Sequence, residues 1–247
     1  MNKFILKSLL NDYAGDIYCF EEIGSTNDFA SEQARQKKEC IVIAEKQLEG
    51  RGRRGRHFVS EKGGLYMSLS IKAPGTPFEV MHYPILAALA AANAIESICA
   101  VQTDIKWPND IQINGRKVCG ILTELVTIDD DCYLVTGIGI NVSNEIPSYL
   151  PDAGNLVSLT GTEPEGEVLA AAVSNQLISV YAKGISNKRE LIEHAQKRCI
   201  TIGKKVTATS TGVTGIARGL DIKGSLILDL PDGTTKTVIF GDVTIQK

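Results

Sequence analysis

The sequence predicts an α+β fold: a mixed β-sheet with helices packed against it, followed by a small C-terminal β-barrel. Three observations carry that prediction. Strand-like and helix-like segments alternate irregularly rather than as a regular βα repeat. The dipeptide Asn114-Gly115, the strongest short hairpin signal, lies between the apolar-polar runs IQI and RKVCGILTELVTI. The last 44 residues, beginning KKVTATSTG, are threaded with glycine turns between short β-branched runs, as in a barrel of about five strands. The boundary falls near residue 200, giving one unit over 1–200 and a second over 201–247.

Taken in order, the N-terminal MNKFILKSLLNDYAGD is amphipathic, and Lys7 interrupts its apolar run, so it does not read as a secretory leader. Ser25 followed by Asp28 marks a helix start, with the helix expected over 27–38. CIVIAEKQ (40–47) and LYMSLSIK (65–72) read as strands, and the alanine-rich 83–99 as a buried helix. A hairpin turning at Asn114-Gly115 sets Ile113 opposite Arg116, Gln112 opposite Lys117 and Ile111 opposite Val118. Asp110, Gln112 and Lys117 then share one face, and Ile111, Ile113 and Val118 the other. Pro108, read as lying inside a strand, predicts a kink or a sheet edge. A strand over 132–142 and helices at about 165–182 and 187–199 complete the first unit.

Composition narrows the function. With 26 Lys+Arg against 29 Asp+Glu the chain lacks the basic excess of a protein that coats nucleic acid or a membrane, so any anion site is local. The six cysteines are scattered without a CxxC pair, as expected of free thiols in a reducing cytoplasm. The three histidines have no metal-ligand spacing, so no structural metal is expected. The longest uncharged run, 80–95, has 16 residues and contains His82 and Asn93, too short for a membrane span.

The most unusual segment is EGRGRRGRHF (49–58). Between Lys46 and Arg56 there are five positive charges and one negative, which repel one another unless an anion sits among them. The run matches GxGxxG formally, but HFVSEKGG leads from it into another strand, whereas a dinucleotide turn must open a helix. No P-loop pattern exists. An RNA-binding RG tract would be longer and repetitive, which leaves a solvated basic loop or a mobile, anion-binding lid. The second constellation, KWPND (106–110) with Lys117, places a cation beside Asp110. It reads either as a salt-bridged surface or as a nucleotide site in which Lys117 clamps an anion and Asn109 or Asp110 lies near Mg²⁺ and phosphate.

With these residues in view, the whole chain resembles the biotin protein ligases. The carriers are Ser25-Thr26-Asn27, Gln47 with GRGRRGR (50–56), KWPND, KVCGILTE (117–124), GIGINV (137–142) and GIARGLDIKG (215–224). The resemblance implies a class II aminoacyl-tRNA synthetase-like catalytic unit and an SH3-like barrel. It implies a two-step reaction in which biotin and ATP, with Mg²⁺, give biotinyl-5′-AMP, which then acylates a lysine of a biotin carboxyl carrier protein. Ser25, Thr26, Asn27, Gln47, Gly50, Arg51 and Lys117 fall on biotin positions, with Lys117, Arg51 and Arg53 catalytic. Arg51, Arg53, Arg54, Arg56, Phe58, Lys106, Trp107, Asn109, Asp110, Asn141 and Arg218 fall on ATP or adenylate positions, and Asp110 would meet Mg²⁺ through the phosphates. Phe58 stands near where the family commonly has tryptophan, and Glu49 is an unusual acid beside the arginines. Because Ser25 comes so early, a monofunctional ligase without a DNA-binding domain is expected, as monomer or homodimer. A lipoate ligase, whose glycine-rich RRxSGGG pattern is absent, and a non-catalytic nucleotide- or carrier-binding module are the competing readings.

Overall fold

The computed structural model describes residues 1–73, 80–184, 186–239 and 241–246. Its elements are α1 (Lys3–Leu9), β1 (Asp16–Ile23), α2 (Thr26–Arg35), β2 (Cys40–Gln47), β3 (Leu65–Lys72), α3 (Tyr83–Cys99), β4 (Asp104–Lys106), β5 (Asp110–Ile113), β6 (Arg116–Ile128) and β7 (Asp131–Ile140). There follow α4 (Leu156–Thr160), α5 (Gly166–Lys183), α6 (Lys188–Lys197), β8 (Lys205–Ala208), β9 (Thr214–Leu220), β10 (Leu226–Asp229), β11 (Thr235–Val238) and β12 (Val243–Ile245).

Seven strands form one sheet in the order β1-β2-β3-β7-β6-β5-β4. Only β1 and β2 run parallel, so the sheet is mixed as expected. It is covered on both faces. Ile41, Ile43, Met67 and Leu69 face the alanine-rich α3 and α5, while Cys40, Val42, Tyr133 and Val135 face Ala30 and Ala34 of α2. The alternation of Cys40 to Ile43 between these two cores is the two-residue period of a strand buried on both sides.

The last five strands form an antiparallel sheet in the order β11-β10-β9-β8-β12, and no ladder closes β12 onto β11 among the described residues. The barrel expectation is therefore met as to strand number but not as to closure; positions 240 and 247 of that expectation lie outside the described residues. The two sheets share a continuous core, in which Val206, Ala217 and Leu228 join the cluster built on α3. Trp107 is a hinge pin between them. It is 3% exposed, its backbone N–H donates to Thr201 Oγ1 at 3.0 Å and its indole N–H donates to the Gly224 carbonyl at 2.9 Å.

Element boundaries move for local reasons. Helix α2 stops at Arg35, short of the expected residue 38, where Lys37 turns to φ 59° and Lys38 N–H returns to the Gln33 carbonyl. Pro108 follows a cis peptide bond in the turn between edge strand β4 and its neighbour β5, rather than inside a strand. Strand β1 (DIYCFEEI) is an edge strand that sequence reasoning did not find. Among the described residues no helix is long and apolar enough to cross a membrane.

Candidate functional site

A cavity of about 250 Å³ opens on the α2 side of the large sheet, between the start of α2, the segment after β2 and strands β6 and β7. Its apolar floor is built from glycines. Gly120 and Gly139 face each other across the β6–β7 ladder, and the Phe58 ring lies against both. A Cβ on Gly139 would come within 2.4 Å of the Phe58 Cε1, and one on Gly120 within 2.9 Å of Cε2 and 3.2 Å of Lys117 Nζ. Gly137 likewise leaves room for Asn27, whose Oδ1 would lie 2.3 Å from an added Cβ. The spacing in GIGINV thus has a steric origin: both glycines expose bare backbone on the same face of β7.

One wall is a neutral polar network at the mouth of α2. Ser25 accepts the Asp28 N–H as the helix N-cap, as the sequence predicted. The Gln47 carbonyl oxygen accepts from the Thr26 N–H at 2.8 Å and hydroxyl at 3.0 Å, which directs its amide N–H to Ser60 Oγ. Asn27 donates to Glu124 Oε2 at 2.9 Å and accepts from Ser68 Oγ at 2.7 Å. Gly50 sits behind this wall rather than on the cavity, its carbonyl accepting the Phe58 N–H. A Cβ there would meet the Phe58 carbonyl oxygen at 2.4 Å.

The opposite wall is cationic. Lys117 enters on the β5–β6 hairpin, its Nζ 2.7 Å from Asp110 Oδ1 and 5.8 Å from the Phe58 ring centre. The hairpin turns at Asn114-Gly115 with both residues at positive φ, and Ile113↔Arg116 and Gln112↔Lys117 pair as predicted. A register shift between Ile111 and Gln112 then sets Ile111 opposite Cys119, not Val118. Asp110 and Lys117 are in direct contact, the ion pair that the salt-bridged reading of this hairpin expects. Asn109 holds the KWPND turn against β6, donating to the Ile121 carbonyl at 2.6 Å and accepting the Ile121 N–H through its own carbonyl. Asn141 donates to the Gly154 carbonyl and accepts from Asn144, fixing the segment before α4 that closes this end.

The arginine segment is a small hairpin. Arg51 pairs with His57, Gly52 N–H bonds the Arg56 carbonyl, and a short 3₁₀ turn over Arg53–Gly55 forms the tip. Its charges are answered by carboxylates of the chain itself. Arg51 Nη2 lies 2.6 Å from Asp28 Oδ1 and 2.9 Å from Glu124 Oε2. Arg53 and Arg56 both pair with Asp242, and Lys46 lies 3.3 Å from Glu61. Burial pulls the Arg53 guanidinium below its ordinary pKa, and Asp242 works against that shift.

Ser25, Thr26, Asn27, Gln47, Arg51, Arg53, Arg56, Phe58, Asn109, Asp110, Lys117 and Asn141 thus line a single cavity. Besides Gly50, four sequence candidates do not. Arg54 points away and donates to Thr209 Oγ1 at 2.7 Å. Trp107 is buried between the sheets, Lys106 stands on outer strand β4, and Arg218 pairs with Asp229 on the second sheet. For these the physical reason is position. KWPND turns sharply at Pro108, so only its last two residues reach the cavity, and β9 presents Arg218 on an exposed face. Sequence reasoning missed Leu122, which shares its face of β6 with Gly120, and also Met67, Ile121 and Ile138, which border the cavity although they belong to the core against α3 and α5. It also missed Asp28, Glu124 and Asp242 as partners of the arginines.

Comparison with known proteins gives the chain its relatives. Residues 19–141 match the model of the biotin/lipoate A/B protein ligase family, and residues 201–245 that of the biotin protein ligase C-terminal domain. The chain is 34% identical over 230 residues to the bifunctional ligase/repressor BirA of Bacillus subtilis, covering 87% of this chain and 69% of that one. It is 32% identical over 211 residues to the biotin–[acetyl-CoA-carboxylase] ligase of Mycobacterium tuberculosis, covering 82% and 77%. Among solved structures it is similar to a biotin protein ligase from Aquifex aeolicus in complex with biotin and ATP, with a TM-score of 0.80 and 27% identity over 94% of this chain and 99% of that one.

Proposed function

The chain belongs to the biotin protein ligase family, and from that premise we propose how its residues carry out the ATP-dependent attachment of biotin to protein. The observation that carries the proposal is the convergence, in one cavity, of a neutral polar wall, a flat apolar floor and a cationic wall. A bicyclic urea on a short acid tail has that same sequence of chemistry. The ureido ring suits Thr26, Asn27 and Gln47, which already exchange hydrogen bonds among themselves. The apolar body suits the glycine floor beside Phe58, and the carboxylate suits Lys117 and Arg51.

In the first step a carboxylate oxygen of biotin forms a bond to the α-phosphorus of ATP while the bond to pyrophosphate breaks. In the second, a lysine amine of a biotin carboxyl carrier protein attacks the acyl carbon, AMP leaves, and the amine loses a proton. The barrier in the first step is electrostatic: an anion must approach a triphosphate. Lys117, Arg53 and Arg56 offset that repulsion and stabilise charge on the departing pyrophosphate. Their donors are held before ligand arrives, so little reorganisation is required. Asp110 is the one carboxylate among the described lining residues, which suits a Mg²⁺ ion carried in by ATP and held by a single acid plus phosphate oxygens. Such an ion would neutralise part of the triphosphate charge.

We assign residues 1–200 to biotin and ATP binding and 201–247 to a supporting C-terminal unit with barrel-like curvature. The six free cysteines suit a cytoplasmic setting. The decisive experiment is pyrophosphate exchange into ATP with biotin or lipoate as the added acid. Exchange with biotin is expected; exchange with lipoate alone would overturn the substrate assignment, and exchange with neither would make the chain a binding module.

A further inference from the structure

Three of the four loop arginines reach the second sheet. Arg53 Nη1 lies 3.4 Å from Asp242 Oδ1, Arg56 Nη2 pairs with Asp242 Oδ2, and Arg54 Nη1 lies 2.7 Å from Thr209 Oγ1. The two acceptors form one corner. Thr209 donates both its N–H and its hydroxyl to the Asp242 carbonyl at 3.0 Å, joining the end of β8 to the start of β12. Asp242 and Arg53 are 22% and 21% exposed, which separates this contact from the solvated surface pairs that contribute little. Arg53 Nη1 also lies 3.4 Å from Asn109 Oδ1, so one guanidinium touches both the KWPND turn and the C-terminal sheet.

We infer that Asp242 is a positioning residue for adenylate formation, anchoring Arg53 and Arg56 toward the triphosphate from a sheet none of whose described residues lines the cavity. The inference rests on the ligase reading above. Each guanidinium has five donors, and a single carboxylate occupies few of them, so both arginines keep donors for phosphate while anchored. Asp242 is not among the residues lining the cavity, whereas a carboxylate that merely stood in for the ligand would occupy the phosphate position. Two long side chains fixed in advance lose less freedom when ATP binds.

The test uses the full chain in biotin-dependent pyrophosphate exchange, with melting temperature as a check on folding. Asp242→Asn is expected to raise the KM for ATP about tenfold, the loss of roughly one charge-assisted contact, with kcat changed less than about threefold. The Kd for biotin alone is expected to stay unchanged, and Asp242→Glu to recover most of the ATP affinity. Thr209→Val, which keeps the side-chain shape and removes the hydroxyl, is expected to give a smaller rise in the same direction. An unchanged KM for ATP in folded Asp242→Asn and Thr209→Val overturns the inference. A lowered KM overturns it too, because Asp242 would then compete with the ligand. Equal weakening of biotin and ATP would mark a general structural role and reject positioning. Absence of biotin-dependent exchange in the unmutated protein would defeat the ligase reading instead, a distinct result.

Discussion

Lys117 comes into the cavity on a hairpin whose ladder partner, Gln112, and ion-pair partner, Asp110, lie just before it in sequence, whereas Arg56 finds its carboxylate, Asp242, 186 residues away. Both constellations bring positive charge to the same cavity. The hairpin cation is set by backbone hydrogen bonds that form with the turn; the loop cations Arg53 and Arg56 are set by ion pairs to Asp242 that exist only once both sheets are assembled. On the reading proposed above, a cation at one fixed atom and cations along a chain of phosphates are thus served by different supports.

The largest effect should come from the hairpin. Lys117→Ala is expected to slow biotinyl-AMP formation by about 100-fold, the typical cost of one donor to developing charge, read by pyrophosphate exchange. An unchanged rate would remove the contrast by showing that the arginines suffice. Arg51→Ala should speed release of preformed biotinyl-AMP by about tenfold, the value of one guanidinium contact, read by chasing labelled adenylate. Gly115→Ala places a side chain at φ 76° and should destabilise the protein by about 1 kcal/mol, read by denaturant unfolding, leaving loop exchange rates unaltered. The smallest effect concerns salt. Raising ionic strength from about 0.01 M to about 1 M shortens the screening length from about 30 Å to about 3 Å. Amide exchange at Gly52 and Arg56 should then rise about threefold, with Lys117 unmoved, because the loop is held to the rest of the chain by side-chain ion pairs whereas the Lys117 N–H donates to the Asp152 carbonyl. Equal responses would show that both constellations share one support.

The same contrast explains what the sequence revealed. The Ser25 cap, the turn at Asn114-Gly115 and the pairing of Gln112 with Lys117 are local chemistry, and local chemistry is written in adjacent residues. The bulge that shifts Ile111 to Cys119 is not, since no turn or cap residue marks it in the sequence. Strand β1 escaped notice because Glu21 and Glu22 interrupt its pattern, which an edge strand with a solvated side tolerates. Helix α4, five residues capped by Asn155, is too short to show a period. The concentration of arginine after β2 announced an anion. That carboxylates at 28, 124 and 242 hold those arginines has no signature in sequence, because no periodicity links them. Trp107 and Arg218 were legible as motif members but not by location, since a motif records which residues recur together and not which way each one points.

The paired glycines at 120 and 139 bear on how such a pocket can be re-tailored. A floor made of main chain has no side chain to trim, and enlarging either position drives an added Cβ into Phe58. Changes in acid preference, whether selected in nature or designed, must therefore be written on the walls, at Thr26, Gln47 or Phe58, where a change of side chain alters the hollow without deforming the sheet.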